Sequence, residues 1–446
     1  MKKRILQLIV IVMCCSTNIH SQGGFNFYGV NKNKQQITFK LINNLIVIPL
    51  KINGKELSFI LDTGVNKTIL FNLTKNDSLG LKNIEKVELQ GLGDGKPVEA
   101  LLSKNNILRL KNIMSGNESI YVILRDRFDF SGKMGVTIHG IIGYNLLKDV
   151  IAKINYKSKK IDFYNPKTFA YPKCRKCETF PIQFYRKKPY IDIKVQLDTV
   201  GNKMTSVKML IDSGGSDAIW LFEESKEEIK TPQKFFRDIL GEGLSGTIYG
   251  NRSRIPKISI KGFHLMKPTV SFLDTISSFN ARKFRQRNGS IGGNILRRFK
   301  VWIDYPNRKL TLKKNGSFKG GFNYNMSGLE VVYSGKQLVK EAGKTTYTDG
   351  MNNKLDGRNS VSFVTSYFYK FKPSYRISKV LPNSPAFKAG LLKNDILLKI
   401  NGKASHQFEL SDIIFKFQER DKKKIKLLID RNGKKIKFEF YLKKIV

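Results

Sequence analysis

The chain has 446 residues, 41% hydrophobic, 11% aromatic and 26% charged, a balance that excludes intrinsic disorder and collagen-like structure and fits about three domains. Its 80 basic and 36 acidic residues give a formal net charge of +44, yet Lys and Arg are scattered along the whole length and interleaved with Asn, Ile and Phe, so they form neither the stripe nor the arm of a nucleic-acid binder. With four His and four Cys a dedicated zinc enzyme is disfavoured, and no metal or other cofactor is expected.

Lys2, Lys3 and Arg4 precede an apolar run from Ile5 to Cys15, and the polar stretch Ser16 to Gly23 follows. That layout predicts a secretory signal peptide over residues 1–21, cut near Ser21, and hence a periplasmic, secreted or cell-surface protein of a bacterium. The apolar run is too short to span a bilayer, so no transmembrane span is expected in the mature chain. Lipidation at Cys14 or Cys15 is the alternative, disfavoured by the bulk of Met13. The mature chain keeps only Cys174 and Cys177, whose C-x-x-C spacing in an oxidising compartment predicts a small disulfide in a linker over 171–180.

Between these landmarks lies one large repeat. Residues 46–71 (IVIPLKINGKELSFILDTGVNKTILF) are echoed by residues 190–222 (YIDIKVQLDTVGNKMTSVKMLIDSGGSDAIWLF), each a predicted hairpin leading into Asp-Thr/Ser-Gly. Asp62 and Asp212 are 150 residues apart. Two later anchors keep an offset of 149: Gly140-Ile141-Ile142-Gly143 against Gly289-Ser290-Ile291-Gly292, and Ile154-Asn155-Tyr156 against Ile303-Asp304-Tyr305. An isolated Asp-Thr/Ser-Gly arises by accident on the order of 0.2 times in a chain this long and could simply cap a tight turn. Two copies in one register, each behind three apolar residues, point to a duplicated β-lobe, predicted over 22–170 and 181–316.

These residues resemble the aspartic peptidases, specifically a single-chain, two-lobed form of the retropepsin-like group, over roughly residues 35 to 315. The resemblance implies a mostly β fold of two acid-protease β-barrel lobes, each supplying one catalytic aspartate, Asp62 and Asp212. Two carboxylates within about 3 Å cannot both ionise and share one proton, so one serves as base toward water and the other as acid toward the scissile carbonyl. The resemblance assigns Thr63 and Ser213 to cross-linking the two loops, and Gly64 and Gly214 to the tight turn that aims amides at the carboxylates. Pepsin-like members carry a hydroxyl three positions after the aspartate, where this chain has Val65 and Gly215. A flap over the cleft is also implied, with Gly91 and Gly93 as candidates in the first lobe and Gly246 and Tyr249 in the second.

From residue 317 the pattern changes. Residues 375–403 (YRISKVLPNSPAFKAGLLKNDILLKINGK) read as strand, capped short helix and strand into an Asn-Gly turn. They resemble a PDZ domain, predicted over 317–446, with Asn394 where that family has Gly. The resemblance implies binding of C-terminal or extended peptides at an exposed strand edge, with Ser327, Gly328 and Leu329 as the carboxylate loop. Residues 335–372 are expected to be a mobile polar insertion. Two functions of different class follow: an exported aspartic endopeptidase acting on polypeptides with a recruiting or regulatory PDZ module, or a non-catalytic peptide-binding scaffold that keeps the lobes.

Overall fold

The computed structural model describes residues 23–30, 32–73, 78–93, 95–124, 130–348 and 361–446. The expected signal peptide, with Cys14 and Cys15, lies outside the described residues, as do Asp94 and positions 349–360.

The first lobe is built on the hairpin Leu45–Ile52 and Lys55–Leu61, paired Val47 to Ile60 and Leu50 to Leu57. Its turn, Asn53-Gly54, has positive φ at both residues, the geometry that matches strand twist in a two-residue loop. The second lobe repeats this with Lys188–Gln196 and Thr205–Ile211, paired Tyr190 to Leu210. In each lobe a short strand inserts beside the hairpin. Gly140–Ile142 runs parallel to Lys55–Leu61 and antiparallel to Thr68–Leu70, and Arg287–Ile291 runs parallel to Thr205–Ile211 and antiparallel to Ile219–Phe222. Among the described residues the two lobe sheets have nine and ten strands.

A third sheet, of six strands, joins the lobes: Cys177–Pro181, Lys309–Lys314, Phe299–Asp304, Ile151–Asn155, Lys160–Tyr164 and Lys34–Thr38. At its centre Lys153 pairs with Trp302, two positions related by the repeat offset of 149, so a pseudo-two-fold axis passes between them. One continuous apolar core, from Phe25 to Phe322, runs through both lobes beneath this sheet. Cys174 and Cys177 are disulfide-bonded, as expected. The segment is less of a free linker than expected, because Cys177 already opens a strand of the joining sheet.

The carboxyl-terminal module has its own core, from Met326 to Leu442. Its helix Pro385–Lys388 is capped by Ser384, whose Oγ accepts from Phe387 N at 3.2 Å, and Leu410–Lys416 starts with a capping box of Glu409 and Asp412. The expected polar insertion 335–372 has a different character. Leu329–Thr348 and Val361–Val380 pair as one antiparallel ribbon, with Leu338 opposite Phe371 and Lys340 opposite Tyr369. On the outer stretch of the second strand the run from Tyr367 to Phe371 mixes aromatic residues with Lys370, so the sequence there shows no apolar–polar strand period. The module touches both lobes. Arg254 of the second lobe donates to Phe322 O at 2.7 Å and Val446 O at 3.3 Å, and the first-lobe helix Phe130–Met134 packs against the ribbon strand Leu329–Thr348.

Candidate active site

Each lobe presents one aspartate where the chain leaves a buried strand. Asp62 follows Phe59-Ile60-Leu61 and Asp212 follows Met209-Leu210-Ile211, six apolar side chains that are all buried. The inserted strands fix the exit points. Asp62 N donates to Ile142 O at 2.9 Å and Asp212 N to Ile291 O at 3.0 Å. The glycine ending each inserted segment packs directly beneath a loop: a Cβ on Gly143 would lie 1.9 Å from Asp62 O, and one on Gly292 would lie 2.3 Å from Asp217 O. That contact is why both later segments end in Gly.

The two loops are locked to each other by a reciprocal set of hydrogen bonds. Thr63 Oγ1 donates to Ile211 O at 2.7 Å and accepts from Ser213 N at 2.9 Å, while Ser213 Oγ donates to Leu61 O at 2.7 Å and accepts from Thr63 N at 3.0 Å. Both hydroxyl residues are fully buried, so each bond lost would leave an unsatisfied backbone group. Tyr305 reaches in from the joining sheet and donates to Thr63 O at 3.2 Å.

This lock sets the carboxyls of Asp62 and Asp212 side by side, close enough for the Asp212 charge to act on Asp62. Gly64 N donates to Asp62 Oδ1 at 2.6 Å and Gly214 N to Asp212 Oδ1 at 3.1 Å. A Cβ on Gly64 would stand 3.1 Å from Asp62 Oδ1 and 3.2 Å from Asp212 Oδ1, and one on Gly214 only 2.2 Å from the Asp62 carboxyl carbon. A side chain at Gly214 would displace the Asp62 carboxyl, and one at Gly64 would crowd both acids. Burial raises both carboxyls above their ordinary range, and the Asp212 charge raises Asp62 further. Against burial, Arg287, Lys188 and the Gly214 amide favour the Asp212 anion, and the Gly64 amide and Lys188 favour the Asp62 anion. The negative charge of a singly protonated pair is therefore better held on Asp212. Val65 carries no hydroxyl to the acids and packs against the apolar wall of the first lobe.

The pair lies in a cleft of about 490 Å³ lined by both lobes. Its roof is made by two loop tips that meet. Ser245 N donates to Leu92 O at 3.0 Å, Gly95 N to Ser245 O at 2.5 Å, and Gly91 N to Ser245 Oγ at 2.9 Å. Gly93 and Gly246 face each other, both at φ 122°, and a Cβ on Gly93 would come within 2.6 Å of Gly246 N. Of the expected flap residues, Gly91 lines the cleft and Gly93 and Gly246 form the contact between tips. Tyr249 is exposed and lines no part of the cleft; the second flap contributes Glu242, Gly243, Leu244 and Ile248 instead. Alternation along the strand explains the difference, since Ile248 and Tyr249 point to opposite faces.

In the carboxyl-terminal module, Ser327 Oγ bonds Asn325 Oδ1 at 2.7 Å and accepts from Leu329 N at 3.0 Å, so the Leu329 amide is already engaged. Gly328 sits against Ser384, 2.1 Å from a would-be Cβ to Ser384 Cβ. Sequence reasoning missed Ser245, Lys188 and Arg287, none of which belongs to a motif, and placed Tyr305 in a repeat anchor without giving it a part in the site. Among the described residues no group of three or more His, Cys, Asp or Glu is placed to hold a metal, and no helix is long and apolar enough to cross a membrane.

Comparison with known proteins agrees with this geometry in both parts of the chain. Residues 48–146 match the aspartyl protease family, and residues 376–431 match the PDZ domain. No curated protein matches the chain. Among solved structures, the aspartic proteinase from Irpex lacteus is similar at 12% identity, covering 65% of this chain and 99% of that one with a TM-score of 0.45. The aspartyl protease match spans the first lobe from its hairpin to the helix Tyr144–Leu147, and so includes Asp62, Thr63, Gly64 and Gly143. The PDZ match begins inside the second ribbon strand and ends with the strand Lys424–Arg431.

Proposed function

We propose that this protein is an exported aspartic endopeptidase whose PDZ module recruits or regulates polypeptide substrates. One observation carries the reading: Thr63 and Ser213, 150 residues apart, hold Asp62 and Asp212 side by side on glycine loops, with Gly214 too close to the Asp62 carboxyl to carry a side chain. A buried pair of acids sharing one proton is costly to keep in a scaffold with no use for it.

In this reading the Asp212 carboxylate takes a proton from a water between the acids as the water oxygen attacks the scissile carbonyl carbon. Asp62 gives its proton to the carbonyl oxygen. The tetrahedral intermediate then breaks its C–N bond as Asp212 gives the proton it took from water to the leaving nitrogen and Asp62 recovers a proton from a hydroxyl of the collapsing diol, which restores the pair with no covalent enzyme intermediate. The roof of Gly91–Gly93 and Gly243–Gly246 must part to admit an extended peptide and close again to exclude water.

The test is peptide hydrolysis by the wild type and by Asp62→Asn and Asp212→Asn, made separately. Cleavage by the wild type that falls at least about a thousandfold in both variants is the expected result. No cleavage by the wild type, or cleavage surviving in either variant, leaves the scaffold reading. Export is checked by sequencing the amino terminus of the protein recovered outside the cytoplasm, with a start near residue 22 expected.

A further inference from the structure

The pseudo-two-fold axis makes the two halves of the cleft comparable position by position, and at the wall beside the acids they are chemically opposite. Ile60 and Leu210 are equivalent, each two residues before its catalytic aspartate; Ile60 pairs with Val47 and Leu210 with Tyr190. Two residues earlier on the same strands stand Leu45 in the first lobe and Lys188 in the second. On the inserted strands Gly140 is equivalent to Gly289, which sets Ile138 against Arg287. The first lobe therefore has Leu45, Val47 and Ile138 where the second has Lys188, Tyr190 and Arg287.

The first-lobe set belongs to a buried apolar cluster with Ile69, Phe71 and Ile123. The second-lobe set lines the cleft next to Asp212. Arg287 is 3% exposed; its Nε donates to Gly289 O at 3.2 Å, its guanidinium carbon lies 5.0 Å from the centre of the Phe222 ring, and its Nη2 has no hydrogen-bond partner. Tyr190 lies beside this guanidinium and feels its charge. Lys188 is half-buried beside it. Glu242 also lines the cleft, but it is engaged by Lys133 at 3.7 Å and Thr247 at 3.1 Å. A singly protonated acid pair carries one negative charge against the two positive charges of Lys188 and Arg287. One positive charge stays unmatched, and the buried Arg287 guanidinium with its unsatisfied Nη2 is costly until an anion arrives.

We infer that Lys188, Tyr190 and Arg287 form a subsite for the carboxylate side chain of a substrate Asp or Glu, so that the scissile bond lies between an apolar residue in the first lobe and an acidic one in the second. This rests on the peptidase reading and adds the substrate class to it. A charge-assisted hydrogen bond in such a site gives about 10- to 100-fold preference for Glu over its neutral isostere Gln.

Two peptide series test it, with Glu, Gln, Leu or Lys placed in turn on each side of one bond. In cleavable peptides, kcat/KM should favour Glu over Gln about 10- to 100-fold at one flanking position and Leu at the other, with Lys rejected at the first. Lys188→Met should lower the Glu preference at least about fivefold, and Lys188→Glu should favour Lys there. Equal cleavage of Glu and Gln peptides overturns the subsite and leaves the peptidase standing. If nothing is cleaved, the peptidase reading fails, and reduced-amide versions of the same peptides decide the subsite by fluorescence anisotropy. Glu binding about tenfold tighter than Gln supports it, and equal or absent binding overturns it.

Discussion

The proton on the Asp62 and Asp212 pair is the feature most open to direct measurement. Both carboxyls are raised in the folded state, by burial first and, for Asp62, by Asp212 second. A folded-state pKa above the unfolded value means that the associated stability is fully present below the ordinary carboxylate range, near pH 4, and is lost as pH rises through the folded value. The wild type should therefore lose stability between about pH 4 and pH 7, and Asp62→Asn, which removes the like-charge neighbour, should flatten that loss. Urea midpoints measured across this range check the point; a wild-type curve that rises with pH would contradict the shared proton. The paired aspartates, their hydroxyl neighbours and their glycines were legible in the sequence because a close contact between two loops demands particular residue types at fixed spacing. Lys188 and Arg287 were not. They differ from their first-lobe counterparts Leu45 and Ile138 in every property but position, and strand register had to come from coordinates before they could be compared.

At the scale of elements, the roof shows how two hairpins share a task. Each tip needs a glycine, Gly93 and Gly246, because the backbones touch and both adopt a φ of 122° that a side chain resists. Gly93→Ala would drive a methyl group into the Ser245–Gly246 backbone, so the tips would stay apart. The expected outcome is a fall in kcat/KM of at least about tenfold with Tm changed by only a few degrees, since the contact lies outside the main core. Unchanged kcat/KM would show that the tips act independently. The glycine clusters marked these loops in the sequence, but which strand face looks into the cleft depends on a single-residue register, and so Ile248 and Leu244 occupy the place expected for Tyr249. The ribbon from Leu329 to Val380 was illegible for a related reason: its pairing comes from backbone hydrogen bonds, while its exposed run from Tyr367 to Phe371 mixes aromatic residues with Lys370 and marks no buried side.

Across the whole molecule, the carboxyl-terminal module grips both halves of the peptidase-like body. On the second lobe Arg254 holds Phe322 O and Val446 O, and the Tyr324 hydroxyl lies 2.8 Å from both Ser253 O and Val270 O, at the root of the second flap. On the first lobe Gly135, at φ 70°, meets Leu410 at the start of the helix Leu410–Lys416, with 3.1 Å from a would-be Cβ to Leu410 Cβ. The neighbouring Lys133 pairs with Glu242 of the second flap at 3.7 Å, so the same short segment touches the module and the roof. Gly135→Val adds bulk against Leu410 in a backbone region that β-branched residues resist. Hydrogen exchange should then speed up in two separate places, residues 130–136 of the first lobe and 405–411 of the module, while the loops carrying Asp62 and Asp212 keep their protection. Local strain at Gly135 alone would loosen only the first of these. Faster exchange confined to 130–136 would therefore show that the module is held by the second lobe, and that the contact with Leu410 adds nothing to the joint.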